Sequence, residues 1–215
     1  MGRMETSSLR VYGGVRGQDR KADRRLRLID AALDLLGGAG GEANLTVRGA
    51  CKRAGLAARY FYENFAGREA LALAVYDHVV EEIARTTLEA VRDAPTDARS
   101  KTAAGLDNIV REVAEDPRRG RLLFSAALSD GVFAQRRAES SRVFAGLLVG
   151  QAKDFYDTEG GAGLELASQF LVGGLSQALT AWLEGTLDVG HAELVERCTE
   201  LFLSAAEATA RRNPG

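Results

Sequence analysis

The sequence predicts an all-α protein, and three observations carry that reading. Alanine and leucine dominate a 215-residue chain that contains only 3 prolines, so helix formers are plentiful and helix breakers scarce. Apolar residues recur at i, i+3, i+4 and i+7 over long stretches. No segment alternates apolar and polar residues over a useful strand length, and no internal repeat appears. The composition, 46% hydrophobic and 27% charged, excludes a disordered chain. No apolar run reaches the roughly 18 residues a membrane span needs. The N-terminus MGRMETSSLRVYGG lacks the apolar core of a secretory signal.

About nine helices are expected, three of them short. Residues 1–18, rich in Gly, Ser and Arg, read as a flexible basic arm. An amphipathic helix over 19–36 places Ile29, Ala32, Leu33 and Leu36 on one face, and the GGAGGE run stops it. Thr46 is a suitable N-cap for a short helix over 47–53. Ala54-Gly55 makes a turn, and a second short helix covers 57–64. A long helix over 68–92 carries Leu71, Ala74, Val75, His78, Val79 and Ile83 as its stripe. Further helices are expected over 97–115, 117–128, 132–156, 162–185 and 190–211, separated by Pro- and Gly-containing breaks.

Charge is unevenly spread. The formal net charge is only −2, but residues 1–70 hold 13 basic against 8 acidic side chains (net +5), and the remainder 15 against 22 (net −7). A basic first third on an acidic body points to a small polyanion-binding head and a separate body. Cys51 and Cys198 are far apart in apolar surroundings and read as buried, reduced thiols.

The head contains a dense aromatic stretch. Gly55–Phe65 reads GLAARYFYENF and holds four of the chain's aromatics, which number only eight Phe, five Tyr and one Trp. At 100° per residue Phe61 and Phe65 share one side and Arg59, Tyr60 and Glu63 the other, with Tyr62 and Asn64 on the flanks. The two phenylalanines therefore pin a helix too short to be stable alone. A short helix, a Gly turn and a second short helix in a basic segment make a helix-turn-helix pattern. Its second helix would enter the major groove. Arg59 suits guanine O6/N7 and Tyr60 a thymine methyl. The Tyr62 hydroxyl and the Asn64 amide are placed to reach phosphates, as are Thr46 and Arg48 at the first short helix. Glu63 is a carboxylate facing a polyanion; it suits cytosine N4 or a pair with Arg59.

This segment resembles the DNA-binding head of the TetR family of bacterial transcriptional regulators. The resemblance runs from about Arg24 to Leu71: RRLRLIDAALDLL, LTVRGACKRAGL, ARYFYENF and GREAL. It rests on Thr46-Val47, Ala54-Gly55, Phe61-Tyr62, Phe65, and Arg68 with Glu69 and Leu71. Arg68 stands at the family's lysine and joins the DNA-contacting set. Ala57 stands where the family has a Ser or Thr that caps the recognition helix, and Gly49 and Ala50 replace an acidic and a bulky aliphatic residue. The glycine should weaken the first short helix by roughly 1 kcal/mol. The resemblance implies a helix-turn-helix domain over 19–67 and a ligand-binding and dimerisation body over 68–215. It also implies a cytoplasmic homodimer that represses from a palindromic DNA operator and is released by a small effector, without cofactor or metal.

In the body, LVGGLSQALTAWL (171–183) and ELVERCTELFLSAAEA (193–208) suit a dimer face, the first through Gly173, Gly174 and Ala178, the second through Leu194, Cys198, Leu201, Phe202 and Ala205. His78, Phe124, Phe144, Gln169 and Trp182 are the candidate ligand contacts, and the scarcity of charge around them favours a hydrophobic or amphipathic effector. An enzyme is disfavoured: no Ser-His-Asp order, P-loop or Gly-rich fingerprint after a strand is present. Two isolated histidines and two isolated cysteines make a tetrahedral metal site improbable. A purely protein-binding helical module is the remaining alternative.

Overall fold

The computed structural model describes residues 11–38, 41–125, 131–156 and 161–210. Nine α-helices lie among them: α1 (Val11–Leu36), α2 (Val47–Ala54), α3 (Ala58–Tyr62), α4 (Arg68–Asp93), α5 (Ala98–Glu115), α6 (Pro117–Phe124), α7 (Val132–Tyr156), α8 (Ala162–Leu183) and α9 (His191–Ala210), with one 3₁₀ turn, Gly41–Asn44. No strand occurs among the described residues. The expected nine-helix, all-α architecture is the one observed.

The differences are at the ends. α1 begins at Val11, eight residues before the expected start, so residues 11–18 continue the helix. Extending a formed helix adds one hydrogen bond per residue fixed and avoids a new nucleus. The rest of the expected arm, residues 1–10, lies outside the described residues. α3 is shorter than expected because Glu63 N–H and Asn64 N–H already close the helix onto Arg59 O and Phe61 O.

The chain divides into two compact units between Val75 and Tyr76. The boundary falls inside α4 rather than at its start, because Leu71, Ala72 and Val75 are buried with the head. The head core is Leu28, Ile29, Ala32, Leu36, Leu45, Phe61 and Phe65. Such a short α3 depends on it: fully burying a Phe side chain contributes roughly 1.5–3 kcal/mol.

In the body, α5 packs on α9, α7 on α8, α8 on α9, and α6 on both α5 and α8. Asn108 is 3% exposed. Its amide donates to the hydroxyls of Thr86 (2.9 Å) and Thr87 (3.0 Å), and its Oδ1 accepts from Arg111 (2.8 Å), which ties α5 to α4. Trp182 Nε1 donates to Val189 O at 2.9 Å, and the ring meets His191 edge-on. His191 Nε2 lies 2.8 Å from Asp107 Oδ1. These contacts hold the turn between α8 and α9 against α5. Cys51 and Cys198 are both free and buried, and burial pushes both thiols up.

Candidate nucleic-acid interface and body cavity

α2 is capped at both ends. Thr46 Oγ1 accepts from Gly49 N–H at 2.9 Å. Gly55 stops the helix in the left-handed region (φ 64°, ψ 36°), with its N–H on Cys51 O and Lys52 O. The Arg27 guanidinium, reaching over from α1, donates to Ala54 O at 2.6 Å. That places a cation on the negative end of α2. Gly49 has a use that its low helix propensity hides: a Cβ there would lie 2.9 Å from Thr46 Oγ1 and push on the cap. Across the turn, Ala57 precedes α3 in extended conformation with no side-chain cap, so the serine or threonine contact expected of the family is absent here.

The outward face of α3 is partly as expected. Phe61 (0% exposed) and Phe65 are core, and Tyr62 is 63% exposed. Arg59 is exposed; Tyr60 is half-buried. The guanidinium carbons of Arg24 and Arg59 each lie 4.5 Å from the Tyr60 ring centroid. Arg59 Nη2 also donates to the Tyr60 hydroxyl at 2.5 Å. Arg59 is thus folded over Tyr60, and its remaining N–H groups are available to an acceptor.

Two of these side chains have partners within the head. Glu63 pairs with Arg24 at 3.7 Å and not with Arg59, because α1 brings Arg24 across the end of α3. The Asn64 side chain donates to Tyr60 O at 2.7 Å, and its backbone carbonyl receives Arg25 Nη1 at 3.4 Å. One amide proton closes onto the end of α3, which leaves the other to donate outward. Thr46, Arg48 and Arg68 are all exposed. The Thr46 hydroxyl accepts within the cap, which leaves its proton to donate outward. The Glu63 carboxylate is compensated by Arg24.

The second feature is a cavity of about 280 Å³ inside the body. Its wall is mostly apolar, drawn from α4 to α9, and includes Ile83, Ile109, Leu148, Leu175, Leu179 and Phe202. Of the candidate ligand contacts, Phe124 and Phe144 line it. His78, Gln169 and Trp182 do not. His78 is half-exposed, 4.0 Å from Glu82; Gln169 is on the exposed side of α8; Trp182 is engaged in the α8–α9 turn. The period of a helix marks an apolar face but not which neighbour covers it.

The cavity also has polar members that the sequence did not single out. Tyr76, Lys101, Arg137 and Ser140 line it. Arg137 Nη2 donates to Leu122 O (3.0 Å) and Ser125 O (3.1 Å). Tyr76 is 3% exposed. Burial pushes the Arg137 guanidinium below its ordinary value and the Tyr76 phenol above it. Arg137 is the first of these that a sequence reader passes over, because its neighbours, QRRAES, read as a solvated face.

The expected dimer stretches divide. On α8, Leu166 (72% exposed) and Phe170 (76%) project outward, in line with exposed Gly173, Gly174 and Gln177. On α9, Leu194 and Cys198 are buried in the body itself and Phe202 lines the cavity, so of that stripe Leu201 (64% exposed) faces out. The inward members are taken up by α5 and α8, against which α9 packs.

No family model matches the sequence, and no curated protein matches it. Solved structures do. A protein from Pseudomonas aeruginosa PAO1 described as a transcriptional regulator is 22% identical over 89% of this chain and 94% of its own, with a TM-score of 0.71. A TetR-family transcriptional regulator from Streptomyces coelicolor is 20% identical, covering 89% of this chain and 84% of its own, TM-score 0.68. FadR from Bacillus subtilis, solved in complex with stearoyl-CoA, is 19% identical over 84% and 98%, TM-score 0.67. The chain has the fold of the TetR-family transcriptional regulators.

Proposed function

We propose that this chain, built on the TetR-family fold, is a ligand-responsive transcriptional repressor. It binds a palindromic DNA operator as a homodimer and leaves it when a small hydrophobic or amphipathic effector enters the body. The observation that carries the reading is the capped α2–Gly55–α3 unit, pinned by Phe61 and Phe65, with Arg59, Tyr60 and Tyr62 on its outward face in a basic head. Regulators with this fold, one of them ligand-bound, support it.

In this mechanism α3 enters the major groove. Arg59 swings from the Tyr60 ring to guanine O6/N7, and Tyr60 packs on a thymine methyl. Thr46, Arg48, Tyr62 and Arg68 hold phosphates on the groove walls. Two copies join through the exposed α8 face around Phe170 and the outward side of α9 around Leu201. Their two α3 helices must then meet half-sites about 34–36 Å apart, or a multiple of that. α4 belongs to both units, so it is the element through which ligand in the body biases the head. The ligand must bind the DNA-incompetent state better, and DNA must weaken ligand binding by the same factor.

The test is selection of bound sequences from a random DNA pool, followed by gel shift on the selected site. A palindrome bound by a dimer is expected. On it, Arg59→Ala should cost roughly 1–3 kcal/mol and relax one position, whereas Arg68→Ala should weaken all sequences alike. Recovery of no preferred sequence would overturn the reading in favour of a protein-binding module.

A further inference from the structure

The body cavity is apolar but electrically one-sided. Among the described residues that line it two are cationic, Lys101 and Arg137, and none is Asp or Glu. Lys101 reaches Val91 O at 3.5 Å. Arg137 spends Nη2 on two carbonyls, which carry no net charge, and its Nε is buried without a hydrogen-bond partner. The neighbour that bears electrostatically on it is Tyr76, a neutral phenol held protonated by burial. Its sequence neighbour behaves differently: Arg136 pairs with Asp77 at 3.4 Å and Glu139 at 2.9 Å. A half-buried guanidinium facing an apolar space, with no carboxylate among the described lining residues, is costly, and a charged partner relieves the cost.

We infer that the cavity takes an anionic amphiphile, a carboxylate on an apolar chain or ring, with the carboxylate against Arg137 and the apolar part along the α4, α7 and α8 walls. This deepens the proposed function, since it gives the effector its chemical class. Both Nη2 protons are spent on carbonyls, so a carboxylate here accepts a charge-assisted hydrogen bond from the guanidinium N–H groups that remain. Tyr76 and Ser140 line the same cavity and offer hydroxyl donors. The apolar remainder of the wall selects the tail by area and shape rather than by specific polar contacts. A cationic amphiphile of the same tail is rejected by Lys101 and Arg137, and a neutral one leaves the guanidinium without a counter-charge.

The test is calorimetric titration of the full-length protein with three probes of equal tail: decanoate, 1-decanol and decylamine. Decanoate should bind about tenfold or more tighter than the alcohol, the gain expected of a charge-assisted hydrogen bond, and the amine weakest. Arg137→Met, which keeps a flexible apolar stem, should erase the preference for decanoate while leaving decanol binding within about threefold. Should Arg137→Met fail to fold, Tyr76→Phe and the wild-type probe order decide: a lost hydroxyl should narrow the preference by a few-fold. Equal binding of decanoate and decanol, tighter binding of decylamine, or an undiminished preference in Arg137→Met each overturns the inference. Gel shift in the presence of decanoate separates the two readings. Binding without operator release leaves the anion site standing and sinks the coupling; release by decanol with no decanoate binding does the reverse.

Discussion

Arg24 makes no base contact in the proposed mechanism, yet its removal should be felt at the operator. It does two things in the structure: its guanidinium covers the Tyr60 ring at 4.5 Å, and it pairs with Glu63 at 3.7 Å. In Arg24→Ala the ring loses one of its two stacked cations and the Glu63 carboxylate faces DNA uncompensated. The stacking contributes about 0.5–1 kcal/mol at a part-exposed site. The ion pair contributes less than about 1 kcal/mol, since the Glu63 side chain is 46% exposed. Fold stability should therefore fall by about 1 kcal/mol, read by urea denaturation at unchanged m-value. Operator affinity should fall by about 1–2 kcal/mol, or five- to thirtyfold, as Tyr60 loosens and Glu63 repels phosphate. Glu63→Gln in the Arg24→Ala background should recover about half of that loss. A direct phosphate contact by Arg24 would instead reduce the salt slope by about 0.9 and show no rescue. If the two substitutions add within about 0.3 kcal/mol in a double-mutant cycle on operator binding, Arg24 does not act through Glu63 and the reasoning fails.

Three other outcomes follow from single contacts. Gly55→Ala places a Cβ in the left-handed region at φ 64° and should cost roughly 1–2 kcal/mol of stability by thermal or urea unfolding; a stabilising change would contradict the turn geometry. Asp116 is held below its ordinary 3.8, first by its hydrogen bond with Arg118, so its contribution is full above pH 4 and lost as pH falls through the lowered value. Asp116→Asn should then cost about 1 kcal/mol or less at pH 7, with the gap to wild type closing below about pH 4 in pH-dependent urea melts; a constant gap would mean the charge is irrelevant. Phe170→Glu puts a charge on a side chain that is 76% exposed, so a monomer should keep its helical signal and stability within about 0.5 kcal/mol while the proposed dimer dissociates in sedimentation analysis. An unchanged dimer mass would place the interface elsewhere.

The sequence by itself determined the helices, their order and the anatomy of the head, because those depend on neighbours within one or two turns. Thr46 finds Gly49 three residues on, Gly55 ends α2 by its own backbone freedom, and Phe61 and Phe65 share a face by periodicity alone. The tertiary structure decided everything set by partners far along the chain. Arg24 is 36 positions before Tyr60, and only the packing of α1 beside α3 makes it the partner of Tyr60 and Glu63. Asn64 shares its amide with the end of α3, through a bond to Tyr60 O. In the body, helical period showed which residues of α9 are apolar but could not say that Leu194 and Cys198 turn inward, Phe202 reaches the cavity and Leu201 faces out. A cavity is a property of how five or six helices fail to fill the space between them. One of its charged wall residues, Arg137, sits in a run that reads as surface, and it becomes a candidate site because α4 and α7 close around it while none of the described lining residues is a carboxylate.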